Sequence, residues 1–345
     1  MKTKRSRVTL QDVAKHAGVS RSTASLIVRG SSTIAVNTRR KVLASIRELG
    51  YVYDRVAANM RSQSSSTVGV IITDIANPFF SEFLVGVHRT LEETGYIEFL
   101  GTTFDLDTKQ DRILSTMLEH RVGGIILCPV SNSSAETIER LKKLDVPIVH
   151  AVRELPKLQC DYVGIDYTAG AQISVNHLIQ KGHRRISFIG GSSGSSAWKE
   201  RMQGYENGLK KSGIEIDESI IIESPVTREG GMVAVHHILS QQNPPTAIFC
   251  YNDLVALGVM QGLRDAKVTP GEDIAVVGFD NVQESSLYTP SLTTVNVFAR
   301  LIGSQAANLI HQRMLDQDRD IQRIILQPEL VTRRSSENYI REKIL

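Results

Sequence analysis

The feature that most constrains this chain is a series of eight short apolar runs, rich in Val, Ile and Phe, between residues 68 and 279. Amphipathic stretches separate the runs, which are VGVIIT (68–73), YIEFLG (96–101), GGIILC (123–128), VPIVHA (146–151), RRISFIG (184–190), SIIIE (219–223), TAIFC (246–250) and DIAVVGF (273–279). Apolar strands that alternate with helices are typical of parallel sheets covered on both faces. A turn-rich break near 152–163 divides the series, so the sequence predicts two doubly wound lobes that bind a ligand at their strands' carboxyl ends.

A different pattern occupies the first fifty residues. Thr9 and Asp12 have the spacing of a capping box, and Gly18 is placed to end the helix that follows. Ser20 can cap a second helix, and a third is predicted over residues 38–49. The two short helices have apolar faces formed by Leu10, Val13, Ala14 and Ala17 in the first and by Ala24, Ile27 and Val28 in the second. Two helices joined through a glycine turn make the helix-turn-helix pattern.

Charge is distributed unevenly along the chain. Residues 1–63 contain 13 Lys and Arg against three acids, a net charge of +10, which leaves 27 basic and 34 acidic residues and a net charge of −7 for the rest. A segment that is basic and also rich in core-forming residues can fold and bind a polyanion. The basic N-terminal segment, which we call the head, is therefore predicted to bind nucleic acid, and the rest of the chain is called the body.

Cysteine content and hydropathy indicate the compartment. Cys128, Cys160 and Cys250 are an odd number without CxxC spacing, which favours reduced thiols. The first residues lack the apolar stretch of a signal peptide, and no run approaches the 18 apolar residues of a membrane span. We expect a cytoplasmic protein, associated with the nucleoid and without a membrane partner.

One motif raises the alternative of an enzyme. Residues 190–194 match GxSxG between an apolar strand and a predicted helix, the context of a nucleophile elbow with Ser192 as nucleophile. The same segment is so rich in Gly and Ser that the match arises easily by chance, and no downstream Asp and His pair has a motif of its own. Phosphate-cradle and HExxH motifs do not occur, so we expect no enzyme activity, no cofactor and no metal. A hydrolase remains an alternative.

Many motifs, in a fixed order, resemble those of the lactose/galactose-repressor (LacI/GalR) family. In the head the resemblance is carried by Val8-Thr9-Leu10-Gln11-Asp12-Val13-Ala14, Ala17-Gly18-Val19-Ser20, Thr23-Ala24-Ser25, Thr38-Arg39, Val42 and Glu48-Leu49-Gly50-Tyr51. In the body it is carried by Asn77-Pro78-Phe79-Phe80, His177-Leu178, Gly182-His183-Arg184-Arg185-Ile186, Arg201, Gly204-Tyr205, Asn252-Asp253, Ala256, Gly258, Val276-Val277-Gly278-Phe279-Asp280 and Leu292-Thr293-Thr294-Val295. The resemblance covers residues 8–335.

The resemblance implies a homodimeric transcription regulator, with repression expected, whose head reads double-stranded operator DNA. The residues at matching DNA-contacting positions are Thr9, Ser20, Arg21, Ser22, Thr23, Ser25, Leu26, Arg29 and Met60. Arg21 is suited to a bidentate contact with guanine, whereas Leu26 offers only apolar contact such as with a thymine methyl group. The alternative for the second helix is a solvated basic surface.

Residues 54–61 resemble the hinge helix of the family, which forms on operator binding and inserts an apolar side chain into the minor groove. Met60 takes the position usually held by Leu, and Tyr53 replaces the usual Pro. The alternative is that this segment is only a tether.

The resemblance also implies a pocket for a small-molecule effector in a body similar to periplasmic sugar-binding proteins. The residues carried over are Thr73, Phe79, Ser195, Arg201, Asn252 and Asp280. Phe79 can stack on a ring, and Arg201 and Asp280 are expected to bind hydroxyl groups from opposite lobes and so couple the ligand to lobe closure. Asn77 and Pro78 are more simply the start of a helix.

Two departures bear on the effector. Val152 stands where many sugar-binding relatives have Asp, and Val226 where many have an aromatic residue. Trp198, the only Trp, is therefore added to the expected site as a replacement stacking surface, with ordinary helix packing as its alternative. We expect a sugar or glycoside. A solute-binding protein without a regulatory role is the remaining alternative, and the basic head speaks against it.

The predicted organisation has four parts. A helix-turn-helix domain is expected over residues 1–53, and a hinge helix with linker over 54–67, where the polar run 62–67 marks the boundary. A two-lobed effector-binding and dimerisation domain follows over 68–335, and a tail over 336–345. The fold class is an all-α helix-turn-helix head plus an α/β body, like that of periplasmic binding proteins, with two doubly wound parallel-sheet lobes.

Overall fold

The computed structural model describes residues 8–28, 30–52, 65–131, 133–144, 146–155 and 158–337. The chain divides into two compact units, Met1–Ser64 and Ser65–Leu345, which we call the head and the body. Arg29, Met60 and the expected hinge helix over 54–61 lie outside the described residues.

The head contains three helices, α1 (Leu10–Ala17), α2 (Arg21–Val28) and α3 (Val36–Leu49). The predicted capping box is present, since the Asp12 amide donates to Thr9 Oγ1 at 3.3 Å and the Thr9 amide donates to the Asp12 carboxylate at 2.9 Å. Helix α3 begins two residues before the predicted start because its N-cap, Ala35, makes no side-chain hydrogen bond that a sequence could signal. The core of the head is formed by Val13, Ala14, Ala24, Ile27 and Val42.

The first lobe of the body is built on a six-stranded parallel sheet of order β11-β5-β4-β3-β1-β2. Its strands are β1 (Thr67–Ile72), β2 (Ile97–Thr102), β3 (Gly124–Leu127), β4 (Ile148–Ala151), β5 (Asp161–Ile165) and β11 (Arg323–Leu326). Helices on this lobe are α4 (Pro78–Glu93), α5 (Asp107–Glu119), α6 (Ala135–Lys142) and α12 (Ala299–Leu315).

The second lobe has a four-stranded parallel sheet of order β7-β6-β8-β9. Its strands are β6 (Ile186–Ile189), β7 (Ile221–Ile222), β8 (Ala247–Cys250) and β9 (Ala275–Val277), and a separate antiparallel pair is formed by β10 (Thr294–Asn296) and β12 (Glu329–Val331). The remaining helices are α7 (Tyr167–Gln180), α8 (Ser196–Lys211), α9 (Arg228–Leu239), α10 (Asp253–Asp265) and α11 (Gln283–Leu287), with a 3-10 turn at Glu218–Ile220. The predicted class of two doubly wound parallel-sheet lobes behind a helical head is confirmed.

The two lobes are interleaved in the chain. After β5 the chain leaves the first lobe for the second, and it returns through α12 and β11 before β12 pairs with β10. Ser336, the first residue of the expected tail, is fully buried in the body and its hydroxyl hydrogen-bonds His177 Nε2 at 2.8 Å. None of the described helices is long and apolar enough to cross a membrane.

Helices α4 and α12 pack at unusually close range through two glycines. A Cβ at Gly86 would lie 2.0 Å from the carbonyl oxygen of Arg300, and a Cβ at Gly303 would lie 2.0 Å from that of Phe83. Only glycine lets the two backbones approach so closely. This contact fixes α12, which precedes the return strand β11, against the middle of α4, the helix that follows β1.

Candidate functional site

A cavity of about 590 Å³ lies in the body at the carboxyl ends of the strands of both lobes. Six of the seven residues expected in the effector site line it, namely Thr73, Phe79, Ser195, Arg201, Asn252 and Asp280. The first two come from the first lobe, and the other four come from the second. This volume is typical of small-molecule sites.

Arg201 lies deep in this cavity and its planar group is enclosed by aromatic rings. The guanidinium carbon is 4.2 Å from the ring centres of Tyr167 and Phe279 and 4.4 Å from that of Tyr251. The side chain is 3% exposed, its Nη1 donates to the carbonyl of Ala197 at 3.0 Å, and its Nε is buried without a hydrogen-bond partner among the described residues. A buried donor without a partner is costly, so the site is organised to receive an acceptor.

Asp280 lies beside Arg201 on the same lobe, 4.0 Å away between Oδ1 and Nη2. The expectation that these two side chains come from opposite lobes is therefore wrong, because α8 and the segment after β9 belong to one sheet system. Burial raises the pKa of Asp280 well above its usual value, against the opposing effects of Arg201 and a hydrogen bond from Asn252. The residue also has a φ of 121°, a strained conformation of the kind found at binding sites.

Phe79, Ser195 and Asn252 lie at the starts of helices that follow strands. The Asn252 Oδ1 accepts the Val255 amide at 3.0 Å as the N-cap of α10, and Asn77 caps α4 in the same way and so fixes the first turn that carries Phe79. Ser195 precedes α8 but does not cap it with its side chain, and its buried Oγ has no hydrogen-bond partner among the described residues. Ser195 and Arg201 thus both present unsatisfied polar atoms at the cavity.

Trp198 is not among the residues that line the cavity. Its ring stacks on that of Phe188, with centroids 5.7 Å apart and planes 30° from parallel. Because the side chain packs on the core of the second lobe, the structure does not bring it together with the other six residues.

Sequence reasoning missed several residues of this site, above all Arg153 and Asp105 of the first lobe. Arg153 lies two residues after the end of β4, and its Nη1 donates to Asp105 Oδ1 at 2.7 Å. Tyr167 and Tyr251 also line the cavity and hold Arg201 between them. The rule that ligands meet the carboxyl ends of parallel strands could have located Tyr251, which directly follows the apolar run 246–250.

In the head, the predicted DNA-contacting residues are placed along α2 and at helix starts. Thr9 caps α1, and Ser20 Oγ accepts the Thr23 amide at 3.1 Å at the start of α2. Arg21 and Ser22 are exposed, and Leu26 is 43% exposed, which is unusual for a leucine. The side chains of Thr23 and Ser25 are partly buried. One polar face of α2 is therefore accessible while Ala24 and Ile27 are buried on the other face.

A helix-turn-helix head and a two-lobed body with a ligand cavity define the class of ligand-responsive DNA-binding regulators. Residues 65–336 match the family model described as "Periplasmic binding proteins and sugar binding domain of LacI family", and residues 9–54 match "Bacterial regulatory proteins, lacI family". The chain belongs to the LacI family. It is a transcriptional regulator with a helix-turn-helix head and an effector-binding body.

Individual relatives match over nearly their full length. The chain is 36% identical to catabolite control protein A of Priestia megaterium, covering 89% of this chain and 92% of that protein. It is 32% identical to the HTH-type transcriptional repressor PurR of Vibrio atlanticus, covering 94% of this chain and 97% of that protein.

Solved structures show the same architecture. One is titled a complex of the transcriptional regulator CelR with cellobiose, at 30% identity, a TM-score of 0.73, and coverage of 96% of this chain and 100% of that chain. Another is a Lac repressor dimer bound to operator and an anti-inducer, at 26% identity, a TM-score of 0.81, and coverage of 96% and 99%.

Proposed function

We propose that this protein is a repressor that binds a palindromic operator as a homodimer and whose operator affinity is set by a small neutral sugar or glycoside bound in the body cavity. The observation that carries the proposal is the buried Arg201, which has an unpaired Nε, aromatic rings around it and the Asp280 carboxylate at its side. A donor and an acceptor side by side match adjacent hydroxyl groups. Aromatic surfaces match the apolar faces of a sugar ring.

The charges in the cavity favour a neutral effector. Each lobe contributes one Arg and one nearby Asp to the wall, Arg153 with Asp105 in the first lobe and Arg201 with Asp280 in the second. Two further carboxylates, Asp74 and Glu223, also line the cavity. An anionic effector would have to approach this excess of negative charge. The cellobiose complex of CelR, a relative of the same fold, supports the sugar class.

The proposed division of labour follows the predicted domains. Residues 1–53 read the operator through Thr9, Ser20, Arg21, Ser22, Thr23, Ser25, Leu26 and Arg29. The segment 54–67, with Met60 inserted into the minor groove, couples effector binding by residues 68–335 to operator affinity. Ser336, which was expected in the tail, belongs instead to the body, where it is fully buried. A regulator of this kind acts in the cytoplasm, associated with the nucleoid.

We further propose that the protein has no enzymatic turnover. Ser192, the candidate nucleophile, lies at the cavity wall, and no histidine among the described residues hydrogen-bonds it. Its neighbour Glu223 accepts the Ser193 amide at 3.1 Å, so this carboxylate supports the loop. Ser192→Ala should leave operator binding in the absence of effector intact. An esterase activity that Ser192→Ala abolishes would contradict this assignment.

A thermal-shift screen tests the effector class most directly. The wild-type protein is heated with a panel of neutral sugars and glycosides, including cellobiose, and with sugar phosphates, nucleobases and nucleosides. A ligand at 100 times its dissociation constant stabilises the folded state by about 2.7 kcal/mol, an easily measured shift. We expect a neutral sugar or glycoside to give the largest shift. Stabilisation by nucleobases alone would contradict the proposed class.

A further inference from the structure

The first lobe presents its own ion pair to the cavity. Arg153 Nη1 donates to Asp105 Oδ1 at 2.7 Å and to Ser131 Oγ at 3.1 Å. Asp105 in turn accepts the Ser131 amide at 2.9 Å on Oδ1 and the Ser131 hydroxyl at 2.6 Å on Oδ2. All three residues line the cavity, and they come from the ends of β2, β3 and β4. The pair is therefore fixed by three separate strands.

The backbone around this pair is strained. Val152 has a φ of 68°, and the Arg153 amide donates to the Ala151 carbonyl at 2.7 Å, which makes Val152 the centre of a tight turn that a β-branched residue rarely adopts. Phe104 and Asp105 have φ values of 51° and 58°. Such conformations persist at sites where the surrounding structure holds them, and here the Tyr167 hydroxyl donates to the Val152 carbonyl at 3.0 Å.

Both residues line the cavity, and the pair still has unused hydrogen-bonding capacity. Arg153 uses only Nη1 in its hydrogen bonds with described residues, so Nε and Nη2 are available as donors. Asp105 uses three of the roughly four acceptor positions of a carboxylate. The pair has no net charge, and it offers donors beside an acceptor. A hydroxyl group satisfies both, whereas a carboxylate or phosphate group would be repelled by Asp105.

We propose that Arg153 and Asp105 are the specificity-determining pair of the first lobe, which binds a neutral hydroxyl-bearing part of the effector and rejects an anionic one. The inference rests on the proposed function, because it assumes that a neutral sugar occupies the cavity. With Arg201 and Asp280 opposite, the effector is held by one donor and acceptor pair from each lobe.

Calorimetric titration with matched neutral and anionic sugars tests the proposal. The probes are glucose and glucuronate, cellobiose and cellobionate, and ribose and ribose 5-phosphate. They are titrated into the wild type, Asp105→Asn, Arg153→Lys and the control Arg140→Lys, an Arg of the same lobe that bonds Ser115 and does not line the cavity. Thermal unfolding of each variant reports whether it is folded.

We expect the wild type to prefer the neutral member of the pair that binds. Asp105→Asn keeps an acceptor for Arg153 but leaves its positive charge uncompensated, so the preference should shift toward the anionic member by about tenfold or more. Arg153→Lys keeps the positive charge beside Asp105 but loses the planar guanidinium. We expect it to weaken binding of the neutral sugar about fivefold or more. Arg140→Lys should leave the ratio unchanged.

The possible outcomes separate this inference from the proposed function. If the wild type binds a neutral sugar and both cavity variants keep the wild-type ratio within about twofold, the pair is only structural and the inference is wrong. If Asp105→Asn does not fold, Arg153→Lys tests the inference. A loss of neutral-sugar affinity in this variant supports the inference, and an unchanged affinity contradicts it. If the wild type binds none of the three neutral sugars, the proposed effector class fails and the specificity inference fails with it.

Discussion

At the scale of single residues, the site combines a guanidinium that is enclosed by rings with a carboxylate that is poorly solvated. Arg201 is 3% exposed, and Asp280 lies 4.0 Å from it without a hydrogen bond between them. Arg201 Nε has no hydrogen-bond partner among the described residues, whereas Asp280 accepts a hydrogen bond from Asn252. A ligand hydroxyl group that accepts from Arg201 gains a charge-assisted hydrogen bond, which is stronger than a neutral one.

We predict that Asp280→Asn weakens effector binding and leaves operator binding without effector unchanged. The amide keeps the shape but replaces one carboxyl oxygen with an NH2 group that cannot accept, so the dissociation constant of the sugar should rise about 10- to 150-fold, which corresponds to about 1.5–3 kcal/mol. Calorimetric titration measures this. The control is Asp265→Asn on the exposed side of α10 in the same lobe. Equal dissociation constants for wild type and Asp280→Asn would make Asp280 a structural residue.

Asp253 gives a prediction about pH. This fully buried carboxylate accepts the Val282 amide at 2.9 Å and the hydroxyls of Ser285 at 2.7 Å and Thr294 at 2.5 Å, yet burial raises its pKa to about 6. Between about pH 4 and pH 6 the folded state binds more protons at this site than the unfolded state, so stability falls as the pH rises. The loss amounts to about 3 kcal/mol by pH 7.

The variant Asp253→Asn should lack this part of the pH profile. Relative to the wild type, its free energy of unfolding should therefore increase by about 2.4 kcal/mol from pH 4 to pH 7. Urea denaturation at several pH values, with the two proteins treated identically, measures the difference. Parallel profiles would show that Asp253 is ionised in the folded state at pH 4 as well.

At the scale of elements, the sequence pattern predicted the strands that are buried on both faces. All eight strands predicted from apolar runs are present, because strands covered on both faces consist of apolar residues. Strand β5 was missed in the expected turn-rich break, since it opens with a charged residue, Asp161. In the structure this carboxylate is fully buried and bonds Arg313 and Arg319, which lie some 150 residues away in sequence.

The strands β10, β11 and β12 were missed for a related reason. They are three or four residues long, and their positions depend on the chain passing between the lobes, which short runs do not reveal. The same limit applies to the site. Family motifs located six cavity residues, but the assignment of Arg201 and Asp280 to opposite lobes was wrong and Arg153 was missed, because both questions depend on how distant strand ends come together.

The close contact between α4 and α12 predicts a large effect of a single methyl group. In Gly86→Ala the added Cβ would meet the Arg300 carbonyl oxygen at 2.0 Å, and backbone atoms cannot move aside as a flexible side chain can. We expect a loss of stability of about 3 kcal/mol, the upper end of the usual cost of overpacking. Thermal unfolding measures it, with Ser81→Ala on the exposed face of α4 as the control. Equal melting temperatures for the two variants would contradict this packing.

Helix α2 gives the prediction for base reading. Arg21 is exposed at its start, so Arg21→Ala should weaken operator binding by about 1–3 kcal/mol and relax the preference at one symmetric base-pair position. Binding to a library of single-base operator variants measures this. Arg47→Ala, an exposed Arg in the last turn of α3, serves as the control and should not change the preferred bases. An unchanged base preference in Arg21→Ala would show that Arg21 contacts phosphate and not a base.

At the scale of the whole molecule, the attraction to DNA and the ligand cavity belong to separate units of the chain. The first 63 residues carry a net charge of +10, and the rest carries −7, so attraction to DNA is concentrated in the head. Operator affinity should therefore fall steeply with salt, with a log-log slope of about −0.9 for each phosphate that is neutralised. The cavity lies entirely in the body, and its lining from both lobes allows ligand binding to favour one arrangement of the lobes.

The central claim is that a neutral sugar in the cavity controls operator affinity. A duplex selected by the wild type from a random library, which we expect to be palindromic, is titrated by fluorescence anisotropy with and without the sugar found in the thermal-shift screen. The account predicts that saturating sugar changes the operator dissociation constant by about 5- to 150-fold, and that Asp280→Asn needs more sugar for the same change. A sugar that binds tightly in the cavity and leaves operator affinity unaltered would contradict the account.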